Sequence, residues 1–104
     1  MTPTELFASL PDRFRSERAG DLHASYAFEL SGEGGGMWTV HVADGALHVT
    51  DGADPAADVS LRASADDWMA IVEGRKDPQL AFLTNKLKVS GNLQLALRLR
   101  EAIL

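Results

Sequence analysis

The chain contains no cysteine, which removes thiol nucleophiles, disulfides and every cysteine-ligated zinc or iron–sulfur site at once. It has no run approaching the roughly 18–20 consecutive apolar residues of a transmembrane helix. The opening residues, Met1-Thr2-Pro3-Thr4-Glu5, lack the basic region and apolar stretch of a secretory signal. On these grounds a cytoplasmic location is expected, with no stable membrane insertion. Positive charge is scarce as well: 10 Lys and Arg against 15 Asp and Glu give a net charge of −5. Nucleic-acid binding calls for a cationic patch that neutralises phosphates, and none is evident. Lys86, Lys88, Arg98 and Arg100 make the one local basic excess, read as a solvated strand face followed by a solvated helix face.

Catalytic signatures are missing too. No serine sits in a Gly-x-Ser-x-Gly elbow. The glycine-rich stretch Gly32-Glu33-Gly34-Gly35-Gly36 has no lysine and leads into a second strand. Phosphate loops lead into a helix N-terminus instead, so this stretch reads as a hairpin loop. Asp51, Asp54 and Asp58 lack the alternating-oxygen spacing of a calcium loop and read as turn formers.

What remains is the pattern of one small domain spanning residues 1–104, 45% apolar, able to build one core without disulfides or metals. Thr2-Pro3-Thr4-Glu5 is a capping-box arrangement that starts a helix, and Leu6, Phe7, Leu10 and Phe14 recur at helical spacing. Pro11 is expected to bend or restart that helix. Tyr26, Phe28 and Leu30 alternate along a first strand, and Trp38, Val40 and Val42 along a second. Asp44-Gly45 is a two-residue hairpin signal. It predicts a register pairing Ala43 with Ala46, Val42 with Leu47 and Val40 with Val49, which leaves His41 opposite His48 and Thr39 opposite Thr50 on the other face. Val59, Leu61 and Ala63 alternate along a fourth strand. Ser64-Ala65-Asp66-Asp67 caps a helix bearing Trp68, Met69, Ile71 and Val72, which Gly74 can end. Asp77-Pro78 starts a short helix with Leu80, Ala81, Phe82 and Leu83, and Leu87-Lys88-Val89 is a fifth strand stopped by Gly91-Asn92.

Leu93, Leu95, Leu97 and Leu99 alternate like a strand, yet Asn92 is a good cap and these residues are good helix formers. A helix is expected. With Ala96, Ile103 and Leu104, its leucines cover well over half the circumference. Such a helix must be buried on several sides or border a ligand or partner. Trp38 and Trp68 read either as core or as cavity lining beside Phe82 and those leucines. His41 and His48 could share a metal ion with Glu29 as a third ligand, but two histidines on the solvent face of a hairpin need no metal to explain them.

Taken in order, Tyr26-Ala27-Phe28-Glu29-Leu30, the glycine loop, Met37-Trp38-Thr39-Val40, Asp44-Gly45, Ala57-Asp58-Val59-Ser60-Leu61, the capped helix from Ser64 to Gly74, Asp77-Pro78 leading to Ala81-Phe82, and Lys86-Leu87-Lys88-Val89-Ser90-Gly91-Asn92 resemble the sterol carrier protein-2 family over about residues 4 to 103. The resemblance implies an α+β fold, a five-stranded mainly antiparallel sheet with helices packed on one face around an apolar tunnel. It implies non-catalytic binding of a hydrophobic small molecule (a sterol, fatty acid, acyl-CoA or isoprenoid) with no cofactor and no resident metal. Carried over, it makes Trp38, Val40, Leu61, Trp68, Ile71, Val72, Phe82, Leu83, Leu95 and Leu99 the expected lining. Where the family often has glycine before its Lys-Leu-Lys strand this chain has Thr84-Asn85, and asparagine tolerates the positive φ such a turn needs. The closing Ala102-Ile103-Leu104 does not match a peroxisomal Ser-Lys-Leu signal.

Two rival readings accompany the carrier. In one, the domain is an interaction or accessory module that presents lipid or quinone precursors to an enzyme, or forms a homodimer through its apolar C-terminal helix. In the other it is a metal-dependent enzyme using His41, His48 and Glu29.

Overall fold

The computed structural model describes residues 2–103, so Leu104 of the expected apolar helix lies outside the described residues. Helix α1 (Pro3–Arg13) starts on the anticipated box: Thr2 Oγ1 accepts from the Glu5 amide at 3.2 Å, and Glu5 Oε1 accepts from the Thr2 amide at 3.1 Å. It does not restart at Pro11 but runs through it to Arg13. Pro11 falls in the last turn, where its missing N–H forfeits one bond to the Phe7 carbonyl and little helix remains to disrupt. The break comes at Phe14, whose extended backbone leads into the single turn of α2 (Ser16–Ala19).

Five strands follow: β1 (Ala24–Ser31), β2 (Gly36–Ala43), β3 (Ala46–Asp51), β4 (Val59–Ser64) and β5 (Leu87–Gly91), ordered β3-β2-β1-β4-β5. Neighbours are antiparallel except β1 and β4, which run parallel. The β2–β3 register is the one the Asp44-Gly45 turn predicts, from Ala43↔Ala46 through His41↔His48 to Thr39↔Thr50. Both turn residues have positive φ, 54° and 74°, as the two-residue hairpin requires.

Because side chains alternate along each strand, the register sorts the sheet into two faces. Tyr26 lies between Val40 and Val59, and Phe28 between Trp38 and Leu61; Leu61 in turn pairs with Val89, and Ala63 with Leu87. This inner face is apolar and covered by helices. The outer face carries Glu29, His41, His48, Arg62 and Lys88. Thr39, on the outer face, is nevertheless buried. The segment after β3 folds over it, with Thr39 Oγ1 donating to the Gly52 carbonyl at 2.6 Å and accepting from the Asp54 amide at 2.9 Å.

Helix α3 (Ala65–Val72) is capped by Ser64, whose Oγ accepts from the Asp67 amide at 3.0 Å. Asp77 caps α4 (Pro78–Leu83) by accepting from the Gln79 amide. Asn85 takes the positive φ, 61°, expected of it before β5. Helix α5 (Leu93–Ile103) is the helix that its cap and composition suggested, with Asn92 Oδ1 accepting from the Gln94 amide. The core divides the inner face in two. Over β2 and β3 it is closed by α1, where Phe7 stacks on Trp38 at 4.4 Å and meets the Phe28 edge at 5.1 Å. Over β4 and β5 the cover is α3, α4 and α5. Among the described residues no helix is long and apolar enough to cross a membrane.

Candidate functional site

Under the second half of that cover lies a cavity of about 480 Å³. Phe28, Leu61, Leu87 and Val89 project into it from the sheet, where the β1–β4–β5 register puts them side by side. Trp68, Ile71 and Val72 of α3 form one wall, and Ala96, Leu99 and Ile103 of α5 another. The mouth is edged by Pro78, Gln79 and Phe82 of α4 and by Leu93, Leu97 and Arg100 of α5. Phe82, Leu93 and Leu97 are 42%, 49% and 53% exposed, while Phe28, Leu61, Trp68, Ile71, Leu87 and Leu99 are buried.

Helix α5 is thus split along its length. Leu99 and Ala102 are buried, and Leu93 and Leu97 open to water at the mouth. Hydrogen bonds among the described residues fasten this helix to the rest of the fold. Tyr26 Oη donates to the Leu95 carbonyl at 2.7 Å, an Arg98 guanidinium N–H donates to the Ala19 carbonyl at 2.6 Å, and the Arg15 amide donates to the Ala102 carbonyl at 2.8 Å. Burial of the Tyr26 ring pushes its hydroxyl up to about 12, with the Arg98 charge opposing and Asp58 adding to the rise.

Of the residues expected to line a cavity, Leu61, Trp68, Ile71, Val72, Phe82 and Leu99 come together around this one. Four do not. Trp38 lies on the inner face but under α1, stacked on Phe7, and Val40 is wholly buried beside it. Leu83 is 70% exposed on the outer side of short α4. Leu95 packs half-buried against the core, and its carbonyl holds Tyr26. Leu87 and Val89 were missed although the alternation of β5 already put them on the apolar face. Leu93, Leu97 and Arg100 share a helix face at seven-residue and three- to four-residue spacing, a signal blurred by leucines all around α5.

The chemistry of the lining is narrow. Among the described residues it includes no His, Asp, Glu, Lys, Ser or Thr, and its polar side chains are Gln79 and Arg100 at the mouth and the Trp68 indole within. That set can hold an apolar body and hydrogen-bond to it, but it offers no general base or nucleophile. The proposed metal triad is not assembled. His41 and His48 are cross-strand partners, with His41 Nε2 3.3 Å from Thr50 Oγ1. Glu29, however, sits four residues along β1 from Ser25, the partner of His41, a span of about 13 Å. Glu29 is instead paired with Arg62 at 2.5 Å. Among the described residues no group of three or more His, Asp or Glu side chains could hold a metal ion.

A second concavity, about 580 Å³ and open, lies where β1, β2, β4 and β5 meet the start of α3. Its acids are matched by bases: Glu29 with Arg62, and Asp67 with Lys76 at 2.9 Å. The hydrogen bonds from Lys76 and Ser64 hold the Asp67 carboxyl below the usual carboxylate range.

Comparison with known proteins places this geometry. The model of the SCP-2 sterol transfer family matches residues 4–103. Hydroxysteroid dehydrogenase-like protein 2 of Mus musculus is 35% identical over 99 residues, covering 93% of this chain and 20% of that protein. The chain therefore spans about a fifth of the length of that relative. Among solved structures, apo Sterol Carrier Protein 2 from Yarrowia lipolytica superposes with a TM-score of 0.70 at 26% identity, covering 94% of this chain and 89% of that one. A palmitated Sterol Carrier Protein 2 Like 2 from Aedes aegypti superposes with a TM-score of 0.76 at 21% identity, covering 99% and 95%.

Proposed function

The chain belongs to the SCP-2 sterol transfer family, and from that premise we propose that it binds and carries an elongated apolar molecule, of the sterol, fatty acid, acyl-CoA or isoprenoid class, without transforming it. The observation that carries this reading is the cavity between β4–β5 and helices α3 to α5, apolar inside and edged by exposed Phe82, Leu93 and Leu97.

The energetics favour an occupied cavity. The cavity of about 480 Å³ is open at its mouth and apolar within, so water inside it wets hydrophobic walls, and replacing that water with an apolar occupant is favourable. An occupant that gives up on the order of 500 Å² of apolar area gains about 12 kcal/mol, enough after the lower range of association losses for micromolar binding. The drive is hydrophobic, so no charged contact is needed.

Two measurements test the reading together: native mass spectrometry of the purified protein, and titration with a fluorescent fatty acid displaced by palmitate. Copurifying lipid and saturable one-to-one displacement are expected. A lipid-free protein that sediments as a dimer and ignores the probe would overturn the carrier reading in favour of an interface on α5.

A further inference from the structure

Arg100 stands where the packing pattern of α5 calls for an apolar residue. The face that this helix turns to the cavity runs through Leu93, Ala96, Leu97, Arg100 and Ile103, the three- and four-residue steps of one helical stripe. Every other member of the stripe is apolar, and the remaining polar side chains of α5, Gln94, Arg98 and Glu101, stay off it. Arg98 turns instead to α2 and donates to the Ala19 carbonyl. A leucine at position 100 would extend the apolar wall without a break.

The surroundings of Arg100 do not account for its charge. It is exposed and makes no ion pair among the described residues, and no Asp or Glu is among those that line the cavity. A cation in the last turn of a helix does suit the helix dipole. That attraction acts from any side of the helix, however, and Glu101 beside it works the other way. An arginine stem can lie along an apolar rim while its guanidinium stays in water. The mouth therefore presents one unpaired positive charge, with the Gln79 amide on the α4 side.

We propose that Arg100 is a specificity-determining residue whose guanidinium holds the carboxylate of a long-chain acid at the mouth while the chain fills the apolar interior. The proposal rests on the lipid-carrier reading and narrows its ligand class to singly charged acids. Hydrophobic burial still drives uptake; Arg100 selects the head group and decides which end stays outside. A carboxylate carried inward would be desolvated with no charged partner. At the mouth it keeps water and meets a planar guanidinium that matches its two oxygens. A phosphate monoester carries about −1.5 to −2 charges at neutral pH, against which the lining sets one cation.

The test uses three ligands with one chain length, decanoate, 1-decanol and decyltrimethylammonium, each displacing the uncharged dye Nile red from the whole chain. Decanoate should bind more tightly than its cationic counterpart. At low ionic strength Arg100→Gln should weaken decanoate about fivefold, towards the upper range for an exposed ion pair, with decanol changed by less than about twofold. Arg100→Glu should reverse the preference in favour of the cation. Raising the salt should lower the decanoate-to-decanol affinity ratio of the unmodified chain, because exposed charges are screened, and leave that of Arg100→Gln unmoved. The carboxyl of bound [1-13C]decanoate, followed by NMR, should titrate at lower pH in the unmodified chain than in Arg100→Gln. If decanoate and decanol both bind but their ratio survives Arg100→Gln, or the two weaken alike, the role of Arg100 is refuted and the carrier reading stands. If no ligand displaces the dye, both fall. Should the variants fail to fold, the salt dependence of the ratio in the unmodified chain still decides.

Discussion

At the scale of single residues, Tyr26 shows how one side chain on the sheet governs the helix above it. Its ring fills the inner face between Val40 and Val59, and its hydroxyl reaches α5 at Leu95. Tyr26→Phe keeps the ring and removes the bond, which should lower unfolding free energy by about 1 kcal/mol in urea titration. The same residue predicts an alkaline effect with a defined sign. Burial raises the hydroxyl from 10.0 to about 12, so the unfolded chain loses this proton first. The stability associated with the raised value is complete below pH 10 and is lost as pH rises through about 12. The stability difference between the parent and Tyr26→Phe should therefore shrink over that window. A difference that stays constant from pH 9 to 12 would contradict the assignment.

At the scale of elements, α5 carries two jobs on one helix. Leu99 is 4% exposed and closes the inner wall, whereas Leu97, two residues before it, is 53% exposed at the mouth. Leu99→Ala should destabilise the protein by about 2–5 kcal/mol, since it removes buried volume where the backbone is already fixed. Leu97→Glu should leave stability within about 0.5 kcal/mol, as surface changes usually do, but weaken uptake of an apolar probe by placing charge at the entrance. Denaturant midpoints and probe titration on both variants check the pair. Equal stability losses would mean that α5 is not divided as described. Among the described residues this helix is held by hydrogen bonds to Ala19, from Arg15 and from Tyr26, and the mouth between α4 and α5 stands open beside it.

At the scale of the whole molecule, a ligand that binds only the folded chain must stabilise it by mass action. Palmitate at about a hundred times its dissociation constant should contribute about 2.7 kcal/mol, which for a domain of this size raises Tm by roughly 10–20 °C. Differential scanning calorimetry with and without palmitate measures this, and an unmoved Tm at ligand concentrations that displace the fluorescent probe would be inconsistent with one internal site. The position of the cavity follows from how the sheet is covered. Helix α1 places Phe7 on Trp38 and seals the β2–β3 half. The β4–β5 half is left to α3, short α4 and α5, which do not fill it.

Local periodicity and turn chemistry were enough to place the strands, the β2–β3 register, the caps at Thr2, Ser64, Asp77 and Asn92, and the apolar inner face, because each depends on residues close in the chain. The ordered segments also carried the family likeness, and with it the expectation of an enclosed apolar ligand. Only the tertiary structure decided which half of that face remains hollow. Trp38 and Trp68 look alike in the sequence, each a tryptophan on an apolar face, but one is stacked beneath α1 and the other stands at the cavity. The difference arises from which helix crosses above each residue, a contact between segments far apart in the chain.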